Sequence, residues 1–406
     1  SMEPADTLNG FPYASRIIEK MIYESPAKKA AQQPVFSPDG KKIAFLEDRT
    51  ALKVLDIASG KAITVLDPKF NYSYTDGDIP FEWSPDSKYL LITYIGIGGW
   101  NNTDIAMVAA DGKSEPVDLT VSGYSDAAPR WAAGGGGITY LSGKYGYRSH
   151  GSWGEQYDVL LMMLDAEKWD EFRMTEEEVA LAEKDEKAEA AKESKDKKDK
   201  KGKKGKKDKE DAAKKKGITM DLDNRLYRIS RLTPVSGFIG DYCISPKADK
   251  LYYTMRGSDG KFDLMKTDLR KKETTRLLAD VKGGFEMDAK GENLYVISGS
   301  GMKVITLGEG TPTVKPIEFE ADYTRVPSAE RAYIFDHVIS QVRDKFYDVN
   351  LHGVDWDMYG REYRKFLPYI SNNRDFALLL SELLGELNAS HTGARSFPAG
   401  ATSAHV

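Results

Sequence analysis

A ten-residue pattern that recurs five times constrains this chain more than any other feature. It reads FSPDGKKIAF from Phe36, WSPDSKYLLI from Trp83, WAAGGGGITY from Trp131, ISPKADKLYY from Ile244 and MDAKGENLYV from Met287. Seven positions after the opening anchor every copy has an aliphatic residue: Ile43, Leu90, Ile138, Leu251 and Leu294. Each copy is a strand ending in a bulky anchor, a turn of the Pro-Asp-Gly kind and a second strand of alternating apolar residues, which predicts a β-hairpin. Further alternating segments follow, among them ALKVLDIASGKAITVLD, TDIAMVAADGKSEPVDLT and FDLMKTDLRKKETTRLLA, so each repeat holds four strands. The anchors are 47, 48, 113 and 43 residues apart, and removing a charged insertion of about 60 residues from the long interval restores a period of roughly 45. Four-stranded units that cannot bury both faces alone are satisfied by radial stacking, so an all-β propeller is expected. Pro38, Asp39, Pro85 and Asp86 are explained by turn chemistry and are read as turn formers rather than ligands.

The insertion accounts for a charge distribution that the average hides. The formal net charge is -5, yet Lys195 to Lys216 holds thirteen Lys against five Asp or Glu, leaving about -13 on the rest. This run, KDKKDKKGKKGKKDKEDAAKKK, has no aromatic and no β-branched residue and cannot bury enough surface to fold on its own. A solvated, mobile segment over about 167–217 is expected, within which an acidic helix-like stretch from Glu176 to Glu193 precedes the basic run. Clustered Lys attracts phosphates. Without Arg forks or interleaved aromatics to engage bases, however, an expendable surface insertion is the reading adopted, and nucleic acid is not expected as a partner.

Past about Pro327 the apolar period changes from two to 3.6. Phe335, Val338, Ile339, Val342 and Phe346 share one helical face, and Phe376, Leu379, Leu380, Leu383, Leu384 and Leu387 share another. Between them Asp355 is placed to cap a short helix carrying Trp356, Tyr359, Tyr363 and Phe366 and ended by Pro368. The expected organisation is an N-terminal segment over 1–30 with a closing strand, a propeller over 31–327, a small α-helical subdomain over 328–396 and a linker over 397–406.

Composition excludes several classes. No run approaches the ~18 consecutive apolar residues a membrane span requires. A single cysteine, Cys243, rules out an intrachain disulfide framework and fits a reducing compartment. Ser1-Met2-Glu3 lacks the charged-then-apolar plan of a signal peptide and reads as a scar before an internal start, so an export leader trimmed upstream stays open. There is no G-x-S-x-G elbow and no phosphate loop, and GIGGWN from Gly96 fails the dinucleotide spacing. With five histidines, one cysteine and no H-E-x-x-H pair, neither a metal site nor a cofactor is expected.

The remaining candidate is the pair Ser390-His391 in LLGELNASHTGAR. Alone, a Ser-His dipeptide has little weight, because adjacent side chains point in different directions and a nucleophilic serine takes its base from elsewhere in the chain. His391 reads either as a base waiting for a distant serine or as a residue that ends its helix, where the imidazolium is favoured. Ser149-His150, in the loop GKYGYRSHGSWGEQY, reads as an exposed blade connection, and His337 and His352 read as structural.

Resemblance to known families sharpens this choice. The SPDG hairpins resemble the propeller repeats (PD40- or WD40-like) of TolB, the prolyl oligopeptidases and the tricorn proteases. Those families have six or seven blades, so either degenerate strands between Phe11 and Pro34 or a longer chain is expected to complete the ring. KFYDVNLHGVDWDMYGREYRKFLPYI followed by FALLLSELLGELNASHTGAR resembles the N-terminal helical part of the catalytic core of tricorn-type serine peptidases, of the S41 family. The resemblance covers about residues 328–396 and rests on FYD-x-N-x-x-GVDW and LGEL-x-x-SH. It implies a hydrolase acting in proteolysis, with His391 as general base and Ser390 in the charge-relay network. It also implies that the nucleophile and its supporting glutamate come from a later core domain beyond a PDZ-like domain, and these are the expected partners together with peptide substrates. The propeller would act as a filter for short unfolded chains, a homo-oligomer is allowed, and the isolated chain is expected to be inactive. A cytoplasmic location follows from the resemblance, periplasmic if an export signal was trimmed. The alternative is a TolB-like module that binds or scaffolds proteins without catalysis.

Overall fold

The computed structural model describes residues 2–4, 17–26, 29–73, 78–99, 101–148, 155–182, 184, 218–299, 301–308, 312–320, 322 and 324–396. Contacts divide the chain into two units, Ser1–Glu318 and Phe319–Val406. The first is built from antiparallel sheets in which neighbouring strands are consecutive in the chain, as expected for propeller blades.

Strands β1 (Met2–Pro4) and β2 (Ile17–Glu19) pair with each other. The first blade is β3 (Ala31–Phe36), β4 (Lys42–Glu47), β5 (Ala51–Asp56) and β6 (Lys61–Leu66), and the second is β7 (Phe81–Trp83), β8 (Tyr89–Tyr94), β9 (Asp104–Ala109) and β10 (Val117–Asp118). The third is β11 (Asp126–Ala132), β12 (Gly137–Ser142), β13 (Asp158–Met163) and β14 (Ile229–Arg231). The last two blades are joined into one seven-stranded sheet: β15 (Ile239–Ile244), β16 (Lys250–Arg256), β17 (Phe262–Asp268), β18 (Glu273–Met287), β19 (Asn293–Ser298), β20 (Gly301–Thr306) and β21 (Thr313–Ile317). The fifteen residues of β18 run from the last strand of the fourth blade into the first strand of the fifth. The change of direction within it is taken up by left-handed Asp280 and Gly283 and by a register shift between Lys282 and Phe285.

Every recurrent hairpin of the sequence opens one blade, and its turn residues bond within the turn. Ser37 Oγ donates to Asp39 Oδ1 at 2.7 Å and accepts from Lys42 N at 3.0 Å, while Gly40 supplies the left-handed residue with φ 70°. Ser84 and Asp86 repeat this at 2.7 Å.

The period-two alternation decides how blades stack, because each strand sends successive side chains into different seams. On β4, Ile43 and Phe45 face Ile22 and Tyr23, whereas Ala44 and Leu46 enter the seam with the second blade. On β8, Leu90 and Ile92 enter that same seam and Leu91 enters the next. On β13, Leu160 and Met162 look back to the second blade and Val159, Leu161 and Met163 forward to the fourth. The seams are also laced by hydrogen bonds that repeat with the blades. Trp83 Nε1 donates to Val35 O at 3.0 Å, and one repeat later Trp131 Nε1 donates to Glu82 O at 3.4 Å. Arg130 pairs with Asp241 at 2.7 Å, and the other Asp241 oxygen accepts from Phe285 N at 3.0 Å.

The charged insertion starts on an ordered helix, α1 (Ala166–Arg173), capped by the Asp165 side chain. Trp169 and Phe172, spaced i, i+3, pack on the seam of the third and fourth blades, and Met220 and Leu222 rejoin the seam of the second and third. A reading from bulk composition averages these anchors away. The lysine-rich part lies outside the described residues, as do Ser149, His150 and the expected linker from 397 onward.

The second unit comprises α2 (Pro327–Lys345), α3 (Trp356–Arg364) and α4 (Asn373–Gly385). Asp355 caps α3 by accepting from Met358 N, and Asn372 caps α4 by accepting from Asp375 N. Phe335, Trp356, Phe376, Leu379, Leu380, Leu383 and Leu387 form its buried core, with Val338, Ile339, Val342 and Phe346 packed on them. Phe366 is 57% exposed, because α3 ends before it.

Candidate functional site

The site is assembled from the end of α4 outward. Its final turn tightens: Glu386 N donates to Leu383 O at 3.2 Å, Leu387 N to Leu384 O at 3.3 Å and Asn388 N to Gly385 O at 2.9 Å. Asn388 then turns left-handed with φ 47°, a conformation its short amide tolerates at a helix C-terminus. The next residues carry Ser390 and His391, both exposed.

Ser390 Oγ is 2.7 Å from His391 Nδ1. This departs from the expectation that neighbouring side chains diverge. That expectation holds for extended chain, where side chains alternate, and His391 is left-handed with φ 65°, which removes the alternation. Among the described residues no hydrogen bond reaches His391 Nε2.

Three latches hold the turn. Thr392 Oγ1 donates to Ala389 O at 3.0 Å. Ser381, one turn back on α4, donates through Oγ to Ala394 O at 2.9 Å and accepts from Ala394 N at 2.9 Å, folding the chain back along the helix. On the other side, His352 Nδ1 lies 2.9 Å from Leu387 O. Sequence reasoning took His352 as structural and did not connect it to the turn, because the partner is a backbone carbonyl 35 positions away. His337 is exposed on α2 and stacks on Tyr333, with ring centroids 6.2 Å apart.

Glu386 is engaged at the same helix end, where its Oε1 accepts from Tyr363 Oη at 2.7 Å. Burial and that hydrogen bond push the Tyr363 hydroxyl up to about 12. The carboxylate thus ties the end of α4 to α3. Among the described residues no group of three or more His, Cys, Asp or Glu side chains is placed to hold a metal ion, and no helix is long and apolar enough to cross a membrane.

The comparisons converge on one group of proteins. Residues 327–385, from the start of α2 to the end of α4, match the family model described as the Tricorn protease C1 domain. Over 165 residues the chain is 29% identical to tricorn protease homolog 2 of Streptomyces coelicolor, a match covering 39% of this chain and 13% of that relative. It is 31% identical over 114 residues to tricorn protease homolog 1 of the same organism, covering 24% of this chain and 11% of the relative. The chain therefore spans about an eighth of the length of the curated relatives it matches. The crystal structure of the tricorn protease covers 89% of this chain, and 33% of its own, with a TM-score of 0.59 at 15% identity, a likeness of fold.

Proposed function

We propose that this chain is the propeller and first catalytic-core segment of a tricorn-type serine peptidase of the S41 family, with His391 as general base and Ser390 as its orienting partner. The observation that carries the reading is the 2.7 Å approach of Ser390 Oγ to His391 Nδ1 on an exposed turn, placed directly after the segment that matches the C1 domain. When Ser390 Oγ accepts a hydrogen bond from the protonated Nδ1 of the neutral ring, Nε2 is left with its lone pair. Nε2 then takes the proton of an attacking serine hydroxyl as its oxygen bonds to the peptide carbonyl carbon, and afterwards delivers that proton to the departing amine nitrogen. A hydroxyl in place of the usual carboxylate orients the ring without placing a full negative charge beside it.

The serine nucleophile, its glutamate and the oxyanion-hole donors are assigned to a later core domain of the longer protein, and the propeller to the admission of short unfolded peptides. These 406 residues alone are then expected to hydrolyse no peptide. The test compares fluorogenic peptide turnover by this chain with turnover by the full-length protein and its His391→Ala variant. The reading predicts no turnover by the chain and a loss of at least about a thousandfold in the variant. Turnover by the chain that His391→Ala abolishes would overturn the division of labour, and full activity in the full-length variant would overturn the role of His391 itself. An absence of hydrolase activity from both would favour a protein-binding module.

A further inference from the structure

We infer that His352 is a positioning residue for the Ser390–His391 pair, acting through the carbonyl of Leu387 at the end of α4; this rests on the reading of His391 as a general base.

The segment between α2 and α3 is folded around one donated hydrogen bond. Asp348 organises it: its carboxylate accepts from Asn350 N at 2.9 Å and from His352 N at 3.0 Å, and these two N–H groups hold its carboxyl below the ordinary value. Leu351 and His352 are both left-handed, with φ 51° and 56°, so the chain reverses and aims the imidazole back toward the helix end. Phe346 meets the ring edge-on, with centroids 5.1 Å apart at 77°. The ring then has two bonds, one at each nitrogen: Nδ1 with Leu387 O at 2.9 Å and Nε2 with the hydroxyl of Tyr347.

The partner at Nδ1 fixes its role. A carbonyl oxygen only accepts, so Nδ1 carries a proton and donates to Leu387 O, while the Tyr347 hydroxyl, donor and acceptor alike, holds Nε2. His352 is thereby a donor with a fixed orientation. Its acceptor is significant, because the last carbonyls of a helix have no intrahelical partner. Those of Leu383, Leu384 and Gly385 are taken by backbone N–H groups of the tightened turn, and Leu387 O by His352. Leu387 is itself a buried core residue, 1% exposed, so its peptide group is the last rigid point before the chain departs toward Ser390, three residues on. Ser381 holds the turn from its far side at Ala394. With the near side released, the exposed turn between Leu387 and Ala394 keeps its internal Thr392–Ala389 bond but has one outside anchor rather than two, and the left-handed conformation of His391 that brings its ring to Ser390 is less firmly imposed.

The test uses histidine side-chain 15N spectra of the 406-residue chain. In the wild type, His352 is expected with a proton on Nδ1, and His391 Nδ1 at a hydrogen-bonded shift that moves to the free-imidazole position in Ser390→Ala. His352→Asn tolerates the left-handed backbone and keeps a donor where Nδ1 stands, so the His391 shift should persist. His352→Gly relieves the backbone but has no donor, and the His391 shift should collapse to the Ser390→Ala value while far-UV dichroism stays native. A folded His352→Gly chain with an unaltered His391 resonance overturns the role of His352 and leaves the general-base reading standing. A His391 shift insensitive to Ser390→Ala overturns both. If the glycine variant fails to fold, the wild-type spectrum decides, since an Nε2–H tautomer at His352 contradicts the bond to Leu387 O.

Discussion

Burial pushes the Asp126 carboxyl up to about 6, with the hydroxyls of Ser142, Ser122 and Thr120 pulling it down by less and the neighbouring Asp104 raising it further. Asp126 is 1% exposed at the start of β11. The native carboxyl therefore holds its proton to a higher pH than the unfolded chain does, so stability falls as pH rises through the window from about 4 to 6. Asp126→Asn, which stays neutral, should match the wild type in thermal melts near pH 4 and exceed it by up to about 3 kcal/mol at pH 7. A constant difference across that range would contradict the assignment. A second buried carboxylate is held by an ion pair and two hydroxyls. Asp158, 0% exposed, accepts from Arg231 at 2.9 Å, from Thr233 at 2.6 Å and from Ser236 at 2.7 Å. Asp158→Ala strands three donors around one site, and urea unfolding should show a loss of about 3 kcal/mol, with Asp158→Asn losing less.

Elements are held by two kinds of seam, and each has its own sensitivity. Between blades, equivalent tryptophans donate to the backbone of the preceding blade, Trp83 to Val35 O and Trp131 to Glu82 O. Trp83→Phe keeps most of the ring's burial and removes that donor, so a loss of about 1 kcal/mol in the melting of the propeller is expected. In the helical unit Leu383 is 0% exposed at the centre of the packed helices. Leu383→Ala should cost about 2–5 kcal/mol there, followed by the 222 nm dichroism of α2 to α4. Because Ser1–Glu318 and Phe319–Val406 are separate units, this loss is expected to leave the propeller transition in place. A uniform shift of both transitions would show that the units unfold together.

At the scale of the whole molecule, the basic run is the one large departure from an acidic body. Deleting residues 195–216 removes about +8 of charge and takes the net value from -5 to about -13. The roots of the insertion are anchored independently of that run, by Trp169 and Phe172 on one side and by Asp221 N donating to Leu164 O at 2.7 Å on the other. The deletion should thus change the melting temperature by no more than a few degrees; a collapse of the propeller transition would show that the run contributes to the fold.

The blades and the helices were legible in the residues because their signals are local. A period of two, a turn of the Pro-Asp-Gly kind and an anchor spaced 43 to 48 residues apart outside the insertion repeat along the chain, and the faces of α2 and α4 follow from a period of 3.6. The presence of a candidate base at His391 was also readable, through motifs that lie within a few dozen residues. Only folding decided what those side chains meet. The fusion of two blades through β18, the ordered root of the insertion and the pairing of Arg130 with Asp241 across 111 positions have no short-range signature. The same holds for the site: Ser390 meets His391 because the backbone turns left-handed there, and His352 reaches Leu387 because packing brings α2's exit beside the end of α4. Periodicity specifies which face of an element is buried, whereas hydrogen bonds to backbone carbonyls and left-handed turns are imposed by tertiary packing, to which sequence pattern is blind.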